Sequence, residues 1–135
     1  MCKPAILCVD DEDIILTSLE SLLDDNFGEY CTIELAQSAE EGLEIVKEFM
    51  DDDVSIVVII SDWLMPGMKG DEFLIKVNEL CPSMEKIMLS GHADENAVKR
   101  AEDANALDVF IHKPWDTTKL LKYISDGLKK HGCID

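Results

Sequence analysis

The chain has 135 residues, of which 47% are hydrophobic and 30% are charged, and its formal net charge is -17. This length fits one compact domain, residues 1–135, and the composition excludes a disordered or membrane-embedded chain. The phosphate backbone of nucleic acids repels so acidic a chain, so we expect no direct binding to DNA or RNA.

Five apolar stretches of strand character alternate along the chain with longer stretches of helical period. This alternation is typical of an α/β fold with a parallel sheet. The predicted strands, in chain order, are Ala5 to Val9, Thr32 to Ala36, Ser55 to Ser61, Lys86 to Ser90 and Asp108 to His112. A helix is predicted after each of them.

Apolar residues at helical spacing mark the sides on which three of these helices pack against the sheet. They are Ile15, Leu19, Leu22 and Leu23 in the first helix, Ala39, Leu43, Val46 and Met50 in the second, and Leu120, Leu121, Ile124 and Leu128 in the last. Ser38 with Glu41 three residues later fits a capping box, and Asp116 fits the N-cap of the last helix.

The third strand and the fourth helix differ from the others in their apolar content. Ile56 to Ile60 is apolar without alternation, which is typical of a strand covered on both faces and therefore central in the sheet. The helix between Asp94 and Ala104 has few large apolar side chains, so we expect it to be loosely packed and mobile.

Neither a membrane span nor a disulfide framework is predicted. The apolar runs are far too short to cross a bilayer, and the first residues do not lead into a signal-peptide core, so we expect a cytoplasmic location without membrane binding. The cysteines form no C-x-x-C pair, and buried free thiols are expected. They are Cys2, Cys8, Cys31, Cys81 and Cys133.

Residues suited to chemistry follow four of the predicted strands. They are the acidic run Asp10-Asp11-Glu12, then Asp62, Ser90-Gly91 and Lys113-Pro114. Ligands of open parallel sheets bind at the carboxyl ends of the strands, so these side chains are expected to lie together. They supply carboxylates, a hydroxyl and an ammonium, which together can hold a metal ion and a phosphoryl group.

Converging carboxylates require a cation. If Asp10, Asp11 and Asp62 lie about 4 to 6 Å apart, each pair repels by a few kcal/mol. Oxygen ligands of this kind suit Mg2+ or Mn2+. With a divalent cation bound and Lys113 nearby, Asp62 is suited to accept a phosphoryl group as a nucleophile.

Each of these motifs also has an ordinary structural interpretation. An Asp-Asp pair after a strand most often caps the next helix, Ser90-Gly91 is commonly a turn, and Lys113-Pro114 is commonly a solvated loop. The order of all four motifs at successive strand ends favours the functional interpretation.

The chain resembles the receiver domain of two-component response regulators from about Lys3 to Lys130. The motif Asp62-Trp63-Leu64-Met65-Pro66-Gly67 matches the turn that follows the phosphorylated aspartate of that family. The other matches are Asp10-Asp11 with its acidic pair, Ser90 with its hydroxyl, Lys113 with its lysine, Phe110 with its aromatic switch position, and Lys113-Pro114 with a pair whose peptide bond is commonly cis.

This resemblance implies a flavodoxin-like, doubly wound sheet of five parallel strands in the order 2-1-3-4-5, with helices on both faces. It implies that Asp62 is the phosphoacceptor, and that Mg2+ or Mn2+ is held by Asp11, Asp62, the backbone carbonyl of Leu64 and, through water, Asp10. Phosphoryl oxygens are then bound by Ser90, Lys113 and the backbone N–H groups of Leu64 and Gly91.

The resemblance also implies a switch and its partners. Ser90 moves toward the phosphoryl group and Phe110 follows, while Leu64 and His92 modulate dephosphorylation. The donor is a sensor histidine kinase or a phosphotransfer protein. A downstream protein or output domain binds the face made by the fourth helix, the fifth strand and the fifth helix, and the chain is a monomer or a weak dimer after phosphorylation. Phe110 also fits an ordinary core residue, and His92 a solvated loop residue.

Two other functions fit parts of the pattern. A phosphohydrolase of the haloacid dehalogenase type would use Asp11 as the nucleophile and Asp13 as the general acid, but it leaves Asp62 without a role and lacks an acidic pair after Lys113. A non-phosphorylated adaptor would keep the fold for protein binding alone, which the complete acidic pair argues against.

Overall fold

The computed structural model describes residues 3–92 and 94–134, and within them five strands alternate with five helices. The strands are β1 (Ala5–Val9), β2 (Thr32–Ala36), β3 (Ile56–Ser61), β4 (Glu85–Ser90) and β5 (Val109–His112). The helices are α1 (Asp13–Phe27), α2 (Ala39–Asp51), α3 (Gly70–Leu80), α4 (Glu95–Asp103) and α5 (Thr117–Lys130). The predicted alternation is confirmed, and the strand ends agree with the prediction to within one residue.

The strands form one parallel sheet in the order β2-β1-β3-β4-β5. The expected flavodoxin-like fold is therefore confirmed, with β3 at the centre. Successive strands are added in one direction from β1 to β2 and in the opposite direction from β3 to β5, so the strand order reverses between β1 and β3. In such folds the crevice at the carboxyl ends of the strands at this point is the usual ligand site.

Two hydrophobic clusters cover the two faces of the sheet. One contains apolar side chains of α2, α3 and α4, and the other contains those of α1 and α5. The side chain of Ile59 belongs to the first cluster, whereas Val58 and Ile60 belong to the second. This division explains why β3 is apolar at every position from Ile56 to Ile60, since neither face is left to solvent.

The predicted helix starts are confirmed by hydrogen bonds. The side chain of Ser38 accepts from the backbone N–H of Glu41, and that of Asp116 accepts from Lys119. The prediction for the apolar side of α2 was wrong at its last residue. Met50 is 42% exposed, and Phe49 packs against the core instead. Met50 lies in the last turn, where the helix face has rotated away from the sheet.

Helix α4 has the small apolar surface that its sequence indicates. Its buried residues are Ala97 and Ala101, and Val98 is partly buried. Its mobility stays a prediction.

Among the described cysteines, Cys8 and Cys31 are buried, while Cys81 and Cys133 are only partly so, and all four are free thiols. Cys2 lies outside the described residues.

No helix in the described ranges, 3–92 and 94–134, combines the length and the apolarity needed to cross a membrane.

Gly70 allows α3 to begin against the backbone of Asp62. A Cβ atom added to Gly70 would lie 2.1 Å from the carbonyl oxygen of Asp62 and 2.8 Å from the Cα atom of Trp63. Both neighbours are backbone atoms of the loop that follows β3, so neither can turn aside as a flexible side chain does. Close approach therefore requires glycine at this position.

We expect the substitution Gly70→Ala to lower the free energy of unfolding by about 1–3 kcal/mol, as overpacking typically does. Chemical denaturation measures the change. Gly91→Ala is the matched control, because an added Cβ there meets its nearest neighbour at 3.8 Å. Equal stability of Gly70→Ala and the parent would contradict the close approach.

Candidate functional site

Strands β1, β3, β4 and β5 are neighbours in the sheet, and their carboxyl ends open into one cavity of about 720 Å³. The residues that line it are Asp11, Glu12, Asp62, Leu64, Met65, Pro66, Lys69, Gly91, His92, Lys113 and Pro114. The parallel arrangement thus brings together residues that are up to 103 positions apart in the sequence.

Four carboxylates gather at this edge of the sheet. Asp10, Asp11, Glu12 and Asp62 each offer an oxygen, and these oxygens lie within 4.8 Å of one another. Asp10 and Asp62 are buried, whereas Asp11 and Glu12 are exposed. The predicted convergence of the strand-end acids, Glu12 included, is therefore observed.

Lys113 is the cation that reaches this cluster. Its Nζ lies 2.6 Å from Oδ2 of Asp10 and 3.4 Å from Oδ2 of Asp62. Burial lowers the pKa of Lys113, but its hydrogen bond and charge pairing with Asp10, reinforced by Asp62, outweigh burial and raise the pKa overall. Lys113 therefore stays protonated and partly neutralises two buried carboxylates at once.

Burial dominates the ionisation of Asp10. It raises the pKa of this carboxyl group, and the hydrogen bonds from Lys113 and from the backbone N–H of Glu12 offset only part of that effect, while the charge of Asp62 adds to it. The Glu12 N–H donates to Oδ1 at 2.9 Å. Both oxygens of Asp10 thus accept hydrogen bonds from the protein. Asp10 is therefore less available than Asp11 to bind a metal ion directly.

The two carboxylate oxygens of Asp62 have different neighbours, a backbone N–H group and the ammonium of Lys113. The backbone N–H of Trp63 donates to Oδ1 at 2.8 Å, and Oδ2 is the oxygen nearest Lys113. The backbone N–H of Asp62 continues the ladder to Val9 at 2.9 Å. The position of this side chain is therefore set by the central strand, and Asp62 lines the cavity.

The remaining predicted site residues surround the cavity at different depths. Ser90 is fully buried, and its Oγ accepts a hydrogen bond from the backbone N–H of His92 at 3.2 Å. Leu64, Gly91 and His92 are exposed and line the cavity. The Lys113–Pro114 peptide bond, which carries the chain from β5 toward α5, is cis.

Phe110 lies away from the cavity, on the sheet face that α4 covers. Its ring is half-buried and meets the ring of His112 edge-on, with the centroids 4.6 Å apart. It packs on the same cluster as Val98 of α4. Phe110 is therefore not a ligand of the site but a neighbour of the helix that follows Ser90.

Four lining residues were given no role in binding by the sequence: Glu12, Met65, Pro66 and Lys69. Glu12 was placed in the acidic run after β1, and Met65 and Pro66 were placed in the turn after Asp62. Lys69 follows the Met-Pro-Gly turn, and no spacing rule indicates that it returns to the cavity. Its Nζ lies 5.9 Å from the centre of the Trp63 ring, within cation–π distance.

The donor set fits a hard divalent cation. All four clustered ligands are carboxylates, with no sulfur or imidazole among them, and this chemistry suits Mg2+ or Mn2+. The exposed position of Asp11 beside the buried Asp62 leaves room for waters, which Mg2+ usually keeps. The net negative charge of the cluster remains after Lys113 is counted, so a cation is favoured there.

Comparison with known proteins identifies the family. The model of the response regulator receiver domain family matches residues 6–125. The chain therefore belongs to this family, and it is a receiver domain of the kind found in two-component signalling systems. Receiver domains are signalling switches that accept a phosphoryl group from histidine kinases and bind Mg2+ in an acidic pocket.

Individual relatives agree with this assignment. The chemotaxis protein CheY of Halobacterium salinarum is 30% identical over 123 residues, which cover 91% of this chain and 95% of that protein. The hydrogenase transcriptional regulatory protein HoxA of Cupriavidus necator is 29% identical over 130 residues, and the chain spans only 25% of its length. A receiver domain protein from Methanospirillum hungatei superposes with a TM-score of 0.82 at 31% identity, covering 96% of both chains.

We expect Asp10→Asn to stabilise the metal-free protein at neutral pH by on the order of 1 kcal/mol. The pKa of Asp10 is higher in the folded protein than in the unfolded chain. The protonated form of Asp10 therefore favours folding, and this contribution to the free energy of unfolding is fully present below the ordinary carboxyl pKa and is lost as the pH rises through the pKa of the folded state. The advantage of the variant should therefore appear at neutral pH and vanish in acid.

Denaturant unfolding of both proteins across this pH range, in the presence of a chelator, measures the difference. Asp25→Asn is the matched control, because Asp25 is exposed. A gain that is equally large in acid would refute the explanation by burial.

Proposed function

We propose that Asp62 of this chain accepts a phosphoryl group and that the protein is a switch in a two-component phosphorelay. The observation that carries this proposal is the geometry of Asp62: a buried carboxylate, fixed at Oδ1 by the Trp63 N–H, with Oδ2 beside the Lys113 ammonium, in a residue that lines an open acidic cavity. A carboxylate so placed is available to an incoming phosphorus atom without further rearrangement.

The metal ligands we infer are Asp11, Asp62 and the backbone carbonyl of Leu64, with Asp10 acting through water. The engagement of Asp10 by Lys113 and by the Glu12 N–H supports its indirect role. When bound, Mg2+ (or Mn2+) neutralises the clustered carboxylates and the charge of the phosphoryl oxygens.

The phosphoryl oxygens are bound by Lys113, by the hydroxyl of Ser90 and by the backbone N–H groups of Leu64 and Gly91. In the transfer, the P–N bond of a phosphohistidine breaks while a P–O bond forms to a carboxylate oxygen of Asp62, and the imidazole leaves with the electron pair of the broken bond. Lys113 stays protonated throughout, so it can leave Asp10 and compensate the negative phosphoryl group.

Hydrolysis returns the switch to its resting state. A water molecule attacks the phosphorus atom, and Asp62 leaves as a free carboxylate together with inorganic phosphate. Leu64 and His92 stand at the mouth of the cavity, where side chains control the approach of that water, and we propose that they modulate the rate. The chain thus catalyses only its own phosphorylation and dephosphorylation.

The switch we propose runs from Ser90 to Phe110. Ser90 gives up its hydrogen bond with the His92 N–H to reach the phosphoryl group, and the half-buried ring of Phe110 turns into the space that Ser90 leaves. The output face is formed by α4, β5 and α5. A downstream protein or an output domain binds there, and the free chain is a monomer or a weak dimer after phosphorylation.

The donor we propose is a sensor histidine kinase or a phosphotransfer protein in the cytoplasm. We also propose that residues 1–135 form one receiver domain. The formal net charge of -17 supports protein partners rather than direct nucleic-acid binding.

We expect incubation with Mg2+ and a small phosphodonor to add one phosphoryl group to the protein, and to add it at Asp62. Intact-protein mass spectrometry after trapping of the acyl phosphate, followed by peptide mapping, measures the product. Asp62→Asn should lose the modification completely, because the amide cannot act as the nucleophile.

Asp126→Asn is the matched control, because Asp126 is an exposed acid on α5. Label at Asp11 with rapid release of phosphate would instead favour a phosphohydrolase. Complete failure of the wild-type protein to react would favour an adaptor that uses only the fold.

We expect Mg2+ to stabilise the fold through Asp11. At a Mg2+ concentration tenfold above its Kd, mass action raises the free energy of unfolding by about 1.4 kcal/mol. Asp11→Asn should remove most of this gain, since Asp11 is the exposed acid of the cluster.

Thermal or denaturant unfolding with and without Mg2+ measures the effect. Asp25→Asn should keep the full Mg2+-dependent gain. An undiminished gain in Asp11→Asn would show that the cation binds elsewhere.

A further inference from the structure

A buried carboxylate outside the proposed phosphorylation site joins three parts of the fold. Asp71, in the first turn of α3, is only 5% exposed. Its Oδ1 accepts a hydrogen bond from the indole N–H of Trp63 at 2.9 Å. Its Oδ2 accepts from Nε of Arg100 at 3.0 Å and from Nη2 at 2.8 Å. We call these three residues the Trp63–Asp71–Arg100 clamp.

One end of the clamp rests on Asp62. The backbone N–H of Trp63 donates to Oδ1 of Asp62, while the indole of the same residue donates to Asp71. Gly70, directly before Asp71, is packed against the carbonyl of Asp62 and donates its backbone N–H to the carbonyl of Trp63 at 2.9 Å. A displacement of the Asp62 carboxylate therefore also displaces Trp63, because the two residues are joined by a hydrogen bond.

The other end of the clamp holds α4, which has little apolar packing of its own. Its fully buried side chains, Ala97 and Ala101, are small. A second polar contact from α3 reaches only the end of α4, where Nδ2 of Asn78 donates at 3.2 Å to the carbonyl of Ala104, the residue directly after the helix. With so little buried area, the position of α4 depends strongly on these polar contacts.

We propose that Asp71 is a positioning residue that holds α4 in its resting arrangement and releases it when Asp62 is phosphorylated. This inference rests on the proposed function, because it takes the state of Asp62 as its input. It adds a route through α3 that is separate from the movement of Ser90 and Phe110.

The release follows from the charge of Asp62. Formation of the acyl phosphate leaves Asp62 with one neutral carbonyl oxygen and one oxygen bonded to phosphorus, and the negative charge then lies on the phosphoryl oxygens. The hydrogen bond from the Trp63 N–H to Oδ1 therefore weakens. The loop then shifts and carries the indole away from Asp71. The side chain of Arg100 is 62% exposed, so water can replace Asp71 as its partner, and the displacement of the indole and the guanidinium admits water to the carboxylate of Asp71, which frees α4.

Thermodynamic linkage provides a test at the far end of the clamp. If the clamp favours the resting arrangement, a substitution that breaks it must favour binding at Asp62 by the same factor. Beryllofluoride with Mg2+ is a suitable probe, because BeF3⁻ mimics a phosphoryl group on an aspartate. The affinity for BeF3⁻ should therefore rise when Arg100, which is remote from the cavity lining, is replaced.

We expect Arg100→Gln to lower the apparent Kd for BeF3⁻ at saturating Mg2+ by about fivefold or more, the usual lower range of coupling between sites. Titration followed by the backbone amide NMR signals of Asp62 and Gly91 measures Kd. Lys99→Gln is the matched control, because it removes the same charge from the neighbouring exposed position of α4, and its Kd should stay within about twofold.

Asp71→Asn should lower Kd as well, and the double variant with Arg100→Gln should show no further decrease, because both substitutions break one clamp. If Asp71→Asn fails to fold, Arg100→Gln carries the test, since its side chain is largely exposed. A purely structural role for Asp71 would reduce thermal stability without tightening BeF3⁻ binding.

The outcomes separate this inference from the proposed function. An unchanged or raised Kd in folded Arg100→Gln, with normal BeF3⁻ binding by the wild-type protein, overturns the clamp alone. Failure of the wild-type protein to bind BeF3⁻ overturns the proposed function, and the role of the clamp with it.

Discussion

The contact of Lys113 with Asp10 and Asp62 is the interaction on which the rest of the site depends. It places one protonated ammonium between two buried carboxylates, at 2.6 Å and 3.4 Å, and so allows acids that repel one another by a few kcal/mol to end adjacent strands. Because one ammonium cannot compensate all four acids of the cluster, the site keeps a net negative charge that favours a divalent cation. In the proposed function, the same lysine then compensates the charge of the phosphoryl group.

The central strand β3 gives this arrangement its precision. This strand is buried on both faces. Its last residue is followed directly by Asp62 and then by the loop that leads to the start of α3 at Gly70. Rigid packing behind the carboxylate and an open cavity in front of it are the two conditions for a preorganised acceptor. The loops at the mouth, by contrast, carry exposed side chains that can vary without disturbing the sheet.

The two routes that we propose from Asp62 toward α4 differ in character. The first uses the buried hydroxyl of Ser90 and the half-buried ring of Phe110. The second uses the Trp63–Asp71–Arg100 clamp and is made of charged and hydrogen-bonding groups. Both end on the helix with the smallest apolar contact, where a modest change in free energy can shift the balance between two arrangements. In the proposed mechanism, the chemistry at the strand ends and the weak packing of α4 therefore act together.

The sequence by itself determined the α/β alternation, the strand limits and the acids at the strand ends, because these follow from local periodicity and from residues adjacent in the chain. It also indicated the caps at Ser38 and Asp116, which depend on neighbours three residues away. Only the tertiary structure decided that Lys113 pairs with Asp10, that Lys69 returns to the cavity and that Asp71 joins Trp63 to Arg100. These contacts join residues from different parts of the chain, and the strength of the interaction between their charges depends on burial. No local sequence pattern therefore encodes them.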